Sequence, residues 1–216
     1  MAERSFRNPY PDYDVLAKWQ SPSWNAQTRD VVAKRLDDVP PRRFLTETQF
    51  ATLGAVCDRV MPQPERDDAD KVPIAPFIDA RLHDNRTSGT RYLPLPAMRE
   101  CWQRGLDAIE AEAQHRFHRA YAALDPAEQD LILHAMNKGE TEAPAWGPHL
   151  PAQKFMRHEL LQTIVEVYYA HPAAWSEVGF GGPASPRGYV RLQPNRHDSW
   201  EGEERDTTLV REAAYK

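Results

Sequence analysis

Residues 152–170 carry apolar side chains around most of a helical circumference: Phe155, Leu160, Leu161, Ile164, Val165, Val167 and Tyr168. A helix that is apolar on nearly every side must be surrounded by other elements. The rest of the chain supplies them with helical periodicity. Thr46 and Gln49 form a capping-box pair, and Phe50, Leu53, Cys57, Val60 and Met61 follow at helical spacing until Pro62 and Pro64 end the run. Residues 63–72 read as a solvated acidic loop, and Pro73–Leu82 as a short helix with Ile74, Phe77, Ile78 and Leu82 on one side. One long helix is predicted over Ala97–Leu124, its buried face lined by Met98, Trp102, Leu106, Ile109, Ala113, Phe117 and Ala120. Asp125-Pro126-Ala127-Glu128 then starts a further helix, which Gly139 closes. No stretch alternates with period two and no internal repeat is visible. The predicted fold class is mostly α: an irregular helical bundle with long Pro/Gly-rich loops and extended N- and C-terminal arms.

A chain of 216 residues can build one sizeable core. A 41% hydrophobic fraction and 19 prolines argue for a compact middle with irregular flanks. The expected division is an aromatic, Pro-rich arm over 1–43, a helical domain over 44–192 and a polar tail over 193–216, which holds Trp200. A short helix is expected near Gln27–Leu36, and the aromatics of the arm, Trp19 and Trp24 among them, are expected to dock on this chain or on another subunit. A net charge of −5 gives no electrostatic case for nucleic acid. Cys57 and Cys101 set no disulfide framework; buried free thiols are the expectation, with a single disulfide as the alternative. No run approaches the ~20 apolar residues of a membrane span. The first residues have no apolar core of a signal peptide, and Arg42-Arg43-Phe44-Leu45 resembles a twin-arginine export motif but reads as a helix start. A cytoplasmic location is therefore expected, or a periplasmic one if a partner carries the signal.

Four candidates for chemistry stand out. Gly179-Phe180-Gly181-Gly182-Pro183-Ala184 formally matches a dinucleotide fingerprint. That fingerprint needs a strand before it and a helix starting inside it, whereas here a helix precedes it and Pro183 removes an N–H. Glu112 and His115 have the spacing of half a di-iron site, but no second copy exists, so a solvated polar pair is expected. His158, Glu159, Gln162 and Glu166 form a polar stripe on the 152–170 helix, facing solvent or a partner unless further ligands complete a metal or acid/base site. His118 and His134 lie beside apolar faces and are expected at the core edge. No catalytic, cofactor-binding or metal residue is assigned, and the chain reads as a non-catalytic helical subunit.

Three segments then bear on family: Phe44-Leu45-Thr46-Glu47-Thr48-Gln49-Phe50 with Val60-Met61-Pro62; Leu124-Asp125-Pro126-Ala127-Glu128-Gln129; and Tyr168-Tyr169-Ala170-His171-Pro172-Ala173-Ala174-Trp175 running into the Gly/Pro loop 179–189. Together, over roughly residues 44–192, they resemble the gluconate 2-dehydrogenase subunit 3 family, the small subunits of bacterial flavin-dependent sugar dehydrogenases. The resemblance implies a role rather than a reaction. A large subunit of the glucose–methanol–choline (GMC) oxidoreductase class would bind FAD and oxidise the sugar, with a cytochrome c as a frequent electron acceptor. The small subunit would carry no cofactor and would support folding, stability or export of its partner. Family members often bear a twin-arginine signal, which this sequence lacks. The implied contact surface is the loop with Phe180, Arg187 and Tyr189, anchored by Trp175, Trp19 and Trp24; the alternative is a loop folded back on its own bundle. Two other readings compete, a stand-alone metal-dependent enzyme using the His158/Glu159/Glu166 stripe and a chaperone that releases the flavoprotein after folding.

Overall fold

The computed structural model describes residues 9–87, 89–188 and 201–203. They are mostly α-helical, with no strand among them. The chain divides into two compact units, one drawn from Val39–Tyr168 and the other from Met1–Asp38 with Tyr169–Lys216.

The Val39–Tyr168 unit holds most of the helices. Helix α2 (Glu47–Val60) starts with the Thr46/Gln49 capping box, which satisfies two otherwise orphaned N–H groups. It packs against α3 (Ile74–His83) and α4 (Met98–Phe117). The long predicted helix stops at Phe117, because His118 turns left-handed and a 3-10 turn, Tyr121–Ala123, follows. Helix α5 (Pro126–Lys138) opens with the Asp125/Glu128 capping box, and Gly139 caps it in the left-handed region. The predicted 152–170 helix is helical throughout but not uniform. A short α turn, α6 (Ala152–Lys154), leads into a π-helical stretch, Phe155–Leu161, and then into α7 (Gln162–Ala170). Its buried side chains are Ala152, Phe155, Met156, Leu160, Thr163, Ile164 and Tyr168, while Val165 is 41% exposed. The segment is thus half-immersed rather than enclosed on all sides.

Two buried carboxylates fasten loops to this bundle. Asp79 of α3 is fully buried and accepts N–H hydrogen bonds from Arg43 (2.6 Å), Phe44 and Leu45 (2.8 Å), pinning the approach to α2. Glu112 of α4, expected on a solvated face, is also fully buried. It accepts from the N–H groups of Glu142 (2.9 Å) and Ala143 (2.8 Å) and from Arg116 Nε (2.6 Å), holding the 141–151 loop down. Burial opposes its ionisation, but these donors prevail and keep the carboxyl below the usual glutamate value. His115 is exposed, as expected; His118 and His134 are exposed too, rather than at the core edge. Cys57 and Cys101 are free and buried.

The other unit joins both ends of the chain. A 3-10 turn, Val15–Lys18, and α1 (Ala26–Asp37) pack against a 3-10 helix, Pro172–Val178. Val15, Trp24, Val32 and Trp175 form its core. Tyr189, Trp200 and all of the 193–216 tail but residues 201–203 lie outside the described residues.

Replacing Asp79 by Ala leaves three backbone donors without their shared acceptor. The expected cost is about 2–4 kcal/mol of stability, measured by chemical denaturation, while Asp84→Ala at the exposed surface is expected to stay within about 0.5 kcal/mol.

Candidate functional site

The four residues of the polar stripe all line one cleft of the Val39–Tyr168 unit, about 240 Å³ in volume. Arg81 and Leu82 of α3, Met98 and Trp102 of α4, and Thr87 with residues 89–92 of the connecting loop supply other walls. The π-helical stretch determines how the stripe is displayed; π-turns recur at functional sites because they re-aim side chains within a helix. Phe155 begins that stretch and lies on Gly105, where any Cβ would overlap the ring. The same ring meets Trp102 edge-on, with centroids 5.8 Å apart. Trp102 Nε1 then donates to Glu159 Oε2 at 3.1 Å.

Glu159 is held in a poorly solvated position. Burial raises its carboxyl above the usual glutamate value, only partly countered by the Trp102 hydrogen bond and by Arg81. Arg81 is engaged with Glu166 Oε2 at 2.9 Å, and Gln162 Nε2 donates to Glu166 Oε1 at 2.9 Å. Those bonds lower the Glu166 carboxyl. His158 stacks on Tyr92 at 3.9 Å between centroids and 16° between planes. Among the described residues no group of three or more His, Cys, Asp or Glu side chains could hold a metal ion. The stripe therefore resolves into an ion pair, a stacked pair and a desolvated acid.

The residues singled out for partner contact fall in the other unit. Trp24 and Trp175 are buried in its core, and Trp19 packs against that core, edge-on to Trp24 at 5.8 Å. Phe180 is 40% exposed and sits edge-on against Trp175 at 5.4 Å. Arg187 is half-buried, and Tyr189 lies outside the described residues. The loop is tied down along its length: Tyr13 Oη donates to the Phe180 carbonyl, Lys18 Nζ to that of Gly181, and Thr28 Oγ1 to that of Ser185. Gly182, at φ +72°, brings its backbone against Trp24, whose ring lies 2.8 Å from where a Cβ would stand. The close approach that glycine permits here is filled by an indole of this same chain. Burial and Arg187 lower Lys18 to about 8, and burial raises Tyr13 to about 12.

Sequence spacing does not single out Asp79 or Arg81 and places Glu112 in a solvated polar pair, although a signal for burial is present for both acids. Asp79 lies one turn from Ala75 and Leu82 on the apolar side of its helix. Glu112 continues the row Cys101, Gly105, Ala108, all buried. An acid in such a row marks a loop to be fastened, since a buried carboxylate needs donors.

A family model described as Gluconate 2-dehydrogenase subunit 3 matches residues 47–182, more than half of the chain. Neither a comparison with curated proteins nor one with solved structures returns a match.

The raised carboxyl of Glu159 fixes the sign of a pH effect. A folded-state value above the unfolded one means that the folded chain binds the extra proton, so this group's contribution falls as pH rises through the folded value. Glu159→Gln is expected to stabilise the protein at pH 7, with the gain shrinking as pH falls from the folded value towards the unfolded glutamate value of about 4.3 and gone below it. Denaturation midpoints of both proteins across that range measure it.

Proposed function

We propose that this chain, which belongs to the gluconate 2-dehydrogenase subunit 3 family, is a non-catalytic small subunit of a dehydrogenase complex. Catalysis lies in a large FAD-dependent flavoprotein of the GMC class acting on a sugar or glycoside, with a cytochrome c as a candidate electron acceptor. The chain itself carries no cofactor in this reading. It supports folding, stability or export of the flavoprotein, in a cytoplasmic or an exported complex.

The observation that carries the reading is the family match over residues 47–182. The unit formed by the chain's two ends suggests how docking works. Its buried aromatics, Trp24 and Trp175, act as a scaffold, while Phe180 on the glycine-rich loop stands out from that scaffold with 40% of its surface exposed. An aromatic side chain on a loop fastened by Tyr13, Lys18 and Thr28 loses little entropy on binding, which is how interface anchors gain their energy. In the same reading Trp19, Arg187 and Tyr189 also belong to the contact surface.

Phe180→Glu, co-expressed with the flavoprotein, is expected to reduce co-purification at least about tenfold, because a buried charge replaces an aromatic anchor. Its own stability should fall only by about 0.5–1.5 kcal/mol, the edge-on contact with Trp175. Trp175→Ala provides the contrast: about 3–5 kcal/mol of core packing is lost, so co-purification and stability fall together. Undiminished co-purification of Phe180→Glu would remove the loop from the docking surface.

A further inference from the structure

Glu159 is a half-buried acid with a single hydrogen-bond donor among the described residues, Trp102 Nε1 at 3.1 Å. A carboxylate can accept several such bonds, and one desolvated with only one donor is under-satisfied. Arg81 relieves it only in part, being ion-paired with Glu166 at 2.9 Å. Across the whole lining Arg81 and Arg91 balance Glu159 and Glu166, but Arg91 is not among the groups that act on Glu159, which has no ion-pair partner of its own among the described residues. Thr87, Thr90, His158, Gln162 and Thr163 are further polar side chains of the wall.

The walls beside this acid are aromatic. Trp102 is almost fully buried and lines the cleft, as do Tyr92 and His158, stacked on each other. A carboxylate beside aromatic rings recognises organic cations, which gain Coulomb attraction from the acid and quadrupole attraction where a ring face is open to them. A hard metal ion would instead need several converging ligands, and none of the described residues provide a group of three. A volume of about 240 Å³ suits a small head group with its stem directed to the mouth.

We infer that this cleft binds a small organic cation, a primary ammonium or guanidinium compound, with Glu159 as the counter-charge and Trp102 and Tyr92 as its aromatic walls. The inference does not rest on the proposed subunit role, and its test needs only the full-length chain. n-Butylammonium and n-butylguanidinium are titrated into the isotopically labelled protein while the indole N–H signal of Trp102 is followed, with 1-butanol as the neutral probe of matching length. The cations are expected to move that signal saturably, and 1-butanol is not. Glu159→Gln keeps the size of the side chain and its acceptor for Trp102, and is expected to weaken binding by about tenfold or more. Tyr92→Ala, at an exposed loop position, is expected to weaken it about two- to fivefold. Equal response to 1-butanol, no response to either cation, or unchanged binding by Glu159→Gln would each overturn the assignment.

Discussion

The ring of Phe155 resting on Gly105 is the contact on which the arrangement of the Val39–Tyr168 unit depends. Gly105 has no Cβ, so α4 can approach the π-helical stretch until the ring fills the space a methyl group would need. Phe155 is fully buried, worth about 1.5–3 kcal/mol on its own, and its contacts with Trp102 and Trp146 add about 0.5–1.5 kcal/mol each. That close approach places Trp102 within hydrogen-bonding reach of Glu159 and so sets the floor of the cleft. The π-helical backbone then shifts the register between Phe155, which faces inward, and Glu159, which faces the cleft.

Buried carboxylates do what surface ion pairs cannot. An exposed pair such as Lys71 with Asp68 contributes about 0.2–1 kcal/mol and is screened by salt. Asp79 and Glu112 instead serve several backbone N–H groups each, out of contact with water, and losing them leaves those donors stranded. Both hold loops rather than helices: the chain before α2 in one case and the 141–151 loop in the other. The polar interior is therefore concentrated where irregular backbone meets the bundle. In the other unit aromatic packing takes this part, with Trp24 against Gly182 and Phe180 against Trp175.

Helix positions were legible because their signals are local. The Thr46/Gln49 and Asp125/Glu128 caps and the proline stops act within a few residues, and the structure follows them. The end of α4 was misread because Ala120, Tyr121 and Ala123 keep helical propensity after His118 has already turned left-handed. The stripe His158, Glu159, Gln162 and Glu166 could be read from spacing alone. Its meaning could not, since Arg81 and Tyr92 reach it from 66–85 residues away in sequence. Trp24 and Trp175 stand out as aromatics in the sequence, but only three-dimensional contact reveals that they share the core of one unit, with Phe180 left partly exposed.

The central claim is that this chain serves a flavoprotein rather than a substrate. The most direct measurement is the soluble, FAD-loaded yield of the partner flavoprotein expressed with and without this chain, read with size exclusion. The account predicts a yield that depends on the chain and a persistent complex that contains both. A flavoprotein equally soluble, loaded and active alone, eluting apart from this chain, would contradict it.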